Sequence, residues 1–353
     1  MMVSYKNENL HLQAGKYDLE WGPAYESITL SAKPPPVPRF GFDWQVFPWL
    51  TFKYNHAQLH SGEIDSLASA NSTSLFGTRK ILRSRYLVTH RLEISLPWGV
   101  KIGGAEIVVY GDRSIELVYL MPFISYWSAQ HFLADLDNTQ LSIDVAWEHA
   151  SGLTFYGVFM MDEWRPGLTF DEANRNWFGW QYGLTGKDLL MPGDYMRLEN
   201  TWTDHRIYRH RFPVNDYYSH AYPIGSWVGP HAELLTAIYR APVLWGVGQA
   251  KFIRAKRGEL TEQMITDQYA TIEYDRFTGN TESLTSYRLS YYWPVWKKTW
   301  LEISANNILW SNPGFDPENP DRAVDDDVSK WSFNLGFYSN FSFRGYDVSD
   351  LFR

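Results

Sequence analysis

The chain has 353 residues, a net charge of -8 and a pI near 5.7, with no Lys/Arg block, which excludes the concentrated basic face of a nucleic-acid binder. It contains no cysteine, which excludes disulfides and thiolate metal sites, and no apolar run approaches the roughly 18 residues of a spanning helix. Aromatic residues make up 17%, and the mean hydropathy of -0.36 suits either a soluble protein or a membrane barrel with a wet interior.

The opening stretch, "MMVSYKNENL", lacks the charged segment and apolar run of a signal peptide. The expectation is a cytoplasmic protein or a chain whose front is missing. Residues 16–40, "KYDLEWGPAYESITLSAKPPPVPRF", read as a strand end, a break at Trp21-Gly22-Pro23, and a stiff polyproline connection at 34–36. An irregular stretch at 59–80 follows. In 86–96, Tyr86, Val88, His90, Leu92, Ile94 and Leu96 share one parity, against Leu87, Thr89, Arg91, Glu93 and Ser95. Such a period of two marks a strand with two unlike faces. A turn at 97–101 and an irregular segment at 111–136 come next, with short helices expected at 115–121 and 127–135. Alternation returns in 141–147, where Leu141, Ile143, Val145 and Trp147 oppose Ser142, Asp144 and Ala146. Turns are expected at 149–153, 190–194, 240–242 and 293–298. Longer loops are expected at 164–176, 208–231, 256–266 and 309–328. The later strands include 287–293, 299–306 and 331–343, the last carrying Trp331, Phe333, Leu335, Phe337, Phe341 and Phe343 on one face.

These patterns give about fourteen strands of roughly 9–14 residues, where a tilted membrane-crossing strand needs about 9–11 and soluble strands average nearer 5–6. The apolar faces end in aromatics near the turns, among them Trp98, Trp147, Trp164, Trp293, Trp296, Trp300 and Trp331. Trp and Tyr favour the headgroup level of a bilayer. The expected fold is all-β: an antiparallel transmembrane β-barrel forming a single domain over 1–353, part of a larger even-stranded barrel.

Several residues suggest chemistry. His220 and His231 lie eleven apart in a Gly/Pro-shaped loop, but no third ligand stands at metal spacing, so neither metal nor cofactor is expected. Asp162, Glu163, Asp171 and Glu172 could supply a glycosidase-type carboxylate pair, although charges in loops are commonly solvation. A surface rich in Trp, Tyr, Arg, Asp and Asn suits sugars, whose C–H faces stack on rings and whose hydroxyls take polar partners. The candidates are Trp164, Arg165, Arg175, Trp177, Trp180, His131, His220 and Tyr222. Arg91, Glu93 and Arg288 read better as a charged ladder across a barrel interior.

The stretches "EWGPAYESITLS" with its Pro cluster, "RYLVTHRLEISLPWGVKIGGAEIVVYGDRSIELVYLMPF" (85–123), "HFLADLDNTQLSIDVAW" with "GLTFYGVFMMDEW" (131–164), and "HAYPIGSWVGPHAELL" (220–235) together resemble the capsule assembly Wzi family of bacterial outer-membrane proteins. The resemblance implies a closed, even-stranded barrel in the outer membrane. It also implies a lectin that holds capsular polysaccharide at the cell surface without catalysis, with outer-membrane lipid around it. Against that pattern the signal peptide and first strands are missing, and a bulge or turn is expected after Gly345. A porin-like conduit and a carbohydrate hydrolase are the alternatives.

Overall fold

The computed structural model describes residues 2–162, 164, 166–168, 176–260, 264, 276–277, 279–296, 299–315 and 326–339. Fifteen strands form one antiparallel sheet, and each pairs with its neighbours in chain order. They are β1 (Met2–Lys6), β2 (Leu10–Lys16), β3 (Pro38–Phe47), β4 (Leu50–Gln58), β5 (Arg85–Ser95), β6 (Val100–Gly111), β7 (Asn138–Glu148) and β8 (Leu153–Met161), followed by β9 (Phe178–Lys187), β10 (Tyr195–Thr203), β11 (Ala232–Val243), β12 (Gly246–Gly258), β13 (Thr281–Trp296), β14 (Thr299–Ser311) and β15 (Val328–Ser339). Among the described residues no pairing joins β1 to β15. Fifteen strands agree with the expected count of about fourteen; β1 and β2, of 5 and 7 residues, are shorter than the roughly 9–14 expected. The turn expected at 240–242 comes later: β11 runs on to Val243, and Pro242 lies opposite Val247 beside the two-residue turn Leu244–Trp245. The residues after Gly345 lie outside the described part, as does most of the acidic loop before β15.

The register sorts side chains onto two faces. Ile143, Val145 and Trp147 of β7, Phe155 of β8, Tyr182 of β9, Leu198 of β10, Tyr287, Leu289 and Trp293 of β13, and Trp331, Phe333, Leu335 and Phe337 of β15 share the outer face, each more than a third exposed. Trp49, Trp98, Trp245 and Trp296 stand exposed at the hairpin turns. Trp180 and Trp202 stack at 4.3 Å near the other end of the outer wall. Two of the Trp residues expected in this rim lie elsewhere: Trp300 has inner parity, opposite Tyr338, and Trp164 sits in a loop.

The inner face is polar and cross-linked. Arg91 donates to both oxygens of Asp144 at 2.5 and 2.9 Å and to Glu93 at 2.8 Å, and Lys53 reaches Glu93 at 2.8 Å. A Cβ at residue 103 would lie 1.9 Å from Arg91 Nη2, so Gly103 gives the guanidinium its place. Further round, Arg288 and Tyr338 both donate to Glu302, each at 2.7 Å. The expected ladder is therefore present as ion pairs within and between strands of the inner face.

The two ends of the sheet differ. One end carries the short turns and the other carries long segments, and two of these fill the interior. Residues 17–37, which hold the expected break at Trp21-Gly22-Pro23 and the polyproline connection at 34–36, run across the inner face as a plug. Tyr25 N–H donates to Glu199 at 2.7 Å and Ile28 N–H to Gln181 at 2.8 Å. Arg197 donates to the Pro23 carbonyl at 3.2 Å and Lys251 to the Tyr25 hydroxyl at 3.2 Å. Ile28 and Leu30 pack with Leu87, Ile107, Val109, Val158 and Met160 of the wall. Residues 204–231 form a lid over this plug: Tyr208 and Tyr217 donate to the carbonyls of Ile28 and Thr29 at 2.7 and 2.5 Å. Gly225 permits the approach, since a Cβ there would lie 2.1 Å from the Ile28 carbonyl oxygen.

A third long segment, 112–137, behaves differently. It lies as a strap on the outer wall of β4 to β6, over positions whose parity matches the apolar face but whose residues include His90 and Glu106. The expected short helices are here, a 3-10 turn at Leu117–Leu120 and an α-helix at Tyr126–Phe132. Glu106 accepts from Tyr126 N–H and Ser125 Oγ, His90 Nδ1–H donates to the Pro122 carbonyl at 2.9 Å, and Tyr54 donates to the Tyr119 carbonyl at 3.0 Å. The strap thus satisfies polar groups that would otherwise stand on an apolar wall.

Replacing Arg91 with Leu leaves the buried Asp144 carboxylate without its cation, which costs about 3–5 kcal/mol. The urea midpoint of the folded protein in detergent is expected to drop accordingly. Gly103→Val should lower it as well, by displacing the same guanidinium.

Candidate functional site

At the loop end, the strap, the β7–β8 edge and the lid enclose a cleft of about 220 Å³. The helix that forms one wall starts at Ser125, whose side chain caps the Ser128 N–H at 3.4 Å. It is seated by Tyr126, fully buried, whose ring stacks on His90 at 4.2 Å and meets Tyr119 edge-on. That anchorage presents Trp127, Gln130 and His131 to the cleft. His131 meets the Trp127 ring edge-on at 4.6 Å and donates through Nδ1–H to the Trp127 carbonyl at 2.7 Å.

The helix ends in two successive left-handed residues, Ala134 (φ 66°) and Asp135 (φ 54°). Non-glycine residues avoid this region, so the bend is held from outside. The lid holds it: Arg211 donates to the Asp135 carbonyl, and Asn215 Nδ2 donates to the Leu136 carbonyl at 2.7 Å. Asn138 Nδ2 returns the contact to the Asn215 carbonyl at 2.9 Å. His210 and Arg211 of the lid thereby enter the cleft lining opposite the helix.

The third wall comes from Thr139 and Leu141 of β7, Met161 of β8, then Asp162 and Trp164. Asp162 is buried and ties the walls together. It accepts from Gln140 Nε2 at 3.1 Å and from the Tyr208 N–H, while its own N–H donates to the Trp177 carbonyl at 2.9 Å. The result is a cleft with two partly exposed indole rings, Trp127 and Trp164, and with Arg211, Asp135 and His131 between them. Flat apolar faces beside polar forks suit a polyhydroxylated ring.

Of the residues singled out from sequence, His131, Trp164 and Asp162 meet in this cleft. Arg165 and Arg175 lie outside the described residues, as do Glu163, Asp171 and Glu172. Trp177 is fully buried, with the Arg206 guanidinium 5.7 Å over its ring, so it is a packing residue. Trp180 belongs to the outer wall, stacked on Trp202. His220 and Tyr222 sit on a small two-stranded ribbon of the lid, where His220 stacks on His60 at 4.3 Å. His231 instead bonds the Glu259 carbonyl at 2.9 Å and stacks on Phe277. No group of three metal-ligating side chains occurs among the described residues. Sequence reasoning missed Trp127, Asp135, His210 and Arg211. Trp127 was findable, since it stands four residues before His131 on an expected helix. Asp135 and Arg211 are 76 residues apart and meet only through the lid.

A fifteen-stranded antiparallel meander with an apolar outer face, a polar inner face, short turns at one end and long segments at the other is the fold of an outer-membrane β-barrel. No family model matches the chain, and no curated protein matches it. Several solved structures share the fold, two of them as follows. One is Wzi of Escherichia coli, described as an outer membrane protein involved in group 1 capsule assembly and a carbohydrate-binding β-barrel. It aligns at a TM-score of 0.63 and 15% identity, over 97% of this chain and 70% of that one. The other is OccD3 (OpdP) of Pseudomonas aeruginosa, at a TM-score of 0.51 and 9% identity, over 95% and 75%. At these identities the likeness concerns the fold.

Burial lowers all four histidines of the lid: loss of hydration pushes His205 and His210 down from 6.5 to about 4, and shifts His220 and His231 in the same direction. Asp204 beside His205 opposes the shift, whereas Arg206 adds to it. Opening the lid restores the ordinary value, so the open form binds more protons between the two values. Lid stability is therefore full above pH 6.5, falls as pH drops toward 4, and levels off below. Amide exchange of residues 204–231 is expected to accelerate from pH 7 to pH 4 after correction for intrinsic rates, relative to β6 and β7.

Proposed function

We propose that this protein is an outer-membrane β-barrel that binds surface polysaccharide, of the capsular kind, at the loop-end cleft and without catalysis. The observation that carries the reading is the cleft itself: Trp127 and Trp164 face one space with Arg211, Asp135 and His131, at the end of the sheet that bears the long segments. In barrels of this fold the long loops are extracellular and the short turns periplasmic, so the cleft would open toward the cell surface. The outer aromatic and aliphatic face would meet lipid, and the Trp residues at either end would lie at headgroup level. The carbohydrate binding described for the E. coli structure agrees with this direction.

An open conduit fits less well, because the plug and lid fill the inner face between β4 and β12. Hydrolysis fits less well: both oxygens of the Asp162 carboxylate are committed to Gln140 and to the Tyr208 N–H, so among the described residues Asp135 has no second available carboxylate in the cleft.

The double change Trp127→Ala and Trp164→Ala is expected to weaken binding of purified capsular polysaccharide by roughly ten- to a hundredfold, about 1–3 kcal/mol for lost stacking. Folding is checked by the gel mobility difference between boiled and unboiled samples. Unchanged affinity in a folded variant would remove the cleft from the mechanism, and ion conductance of the parent in planar bilayers would favour a conduit.

A further inference from the structure

Beyond the plug, toward the short turns, the inner wall changes character. At mid-height the inward residues of β12 to β14 are Lys251, Arg288, Asn306 and Ser304. Nearer the turns come Tyr292, Trp300 and Tyr338. Trp300 stands opposite Tyr338 in the register, and Tyr292 opposite Glu302. With Arg240 and Val247 these rings line a cavity of about 490 Å³. Trp300 is 39% exposed and Tyr338 54%, both on the inner face.

The geometry is prepared rather than loose. Tyr338 donates to Glu302, which Arg288 also holds, so the phenol is fixed at its hydroxyl and open along its face. Arg240 donates with Nε and Nη2 to Gln249 at 3.1 and 2.8 Å, and among the described residues nothing engages its remaining nitrogen. Exposed rings on the outer wall are accounted for by lipid. These three are not, because they have inner parity. Indole and phenol faces set beside an oriented guanidinium are the means by which a pyranose ring is gripped through its C–H face and its oxygens.

We infer that this cradle is a second saccharide subsite, on the opposite side of the plug from the cleft. A sugar ring stacks on Trp300 and Tyr338, and Arg240 takes a hydroxyl or a uronate carboxylate. The inference rests on the polysaccharide-binding reading and extends it from one face of the barrel to both.

The test is calorimetric titration of the full chain, folded in detergent micelles, with cellohexaose as the neutral probe and a hyaluronan hexasaccharide as the uronate probe. Two sites per chain are expected. Trp300→Ala should abolish one and leave the other, whereas Trp127→Ala with Trp164→Ala should do the reverse. Arg240→Gln, at an exposed position, should weaken the uronate probe at the cradle by about tenfold if a carboxylate is bound, and weaken both probes equally if a hydroxyl is bound. A folded Trp300→Ala chain that keeps the parent's stoichiometry and affinity overturns the cradle while leaving the cleft intact. A parent with a single site, lost only in Trp300→Ala, upholds the cradle and overturns the cleft. A parent that binds neither probe overturns both.

Discussion

Everything in this molecule follows from a constraint on its backbone. Each strand pairs with its neighbours in the sheet, and alternation then assigns every other side chain to one face for its whole length. A slip of one residue would exchange Arg91, Asp144, Gln181 and Glu199 with the rings and aliphatic chains of the outer wall. The pairing of Arg91 with Asp144 across β5, β6 and β7 makes such a slip costly, because it joins two buried charges through one glycine-sized gap at residue 103.

With that register in place the interior can be filled by segments rather than by side chains alone. The plug brings backbone N–H groups of Tyr25 and Ile28 to side chains of the wall, and the lid brings the hydroxyls of Tyr208 and Tyr217 to backbone carbonyls of the plug. The three layers are therefore stitched by bonds between side chain and backbone, which need no regular secondary structure in the middle layer. The same lid continues outward to pin the left-handed bend at Ala134 and Asp135, so interior packing and cleft geometry share one segment.

Period-two patterning made the strands legible, and the parity of Trp331, Phe333, Leu335 and Phe337 matches the outer face of β15. Residues 17–37 show only a break and a polyproline connection in sequence because a plug has no period: its partners, Gln181 and Glu199, are more than 150 residues away. Trp180 and Trp177 show the limit for site residues. Both are Trp in a polar neighbourhood of sequence, yet one lines the outer wall and the other is sealed in packing, and only strand boundaries and parity separate them. His131, on an expected short helix, and Trp164, in a loop, are legible as ring-bearing residues, but their meeting depends on where the strap lies, which composition does not encode.

The strap over β4 to β6 makes the molecule lopsided. Along most of its girth the sheet is one layer thick, while at this sector a second layer, itself faced with Leu117, Phe123 and Phe132, stands between strands and surroundings. Any neighbour approaching from the side, whether an acyl chain or another barrel, meets helix and turn there instead of pleated strand. The circumference accordingly has a built-in front, and the cleft opens beside it.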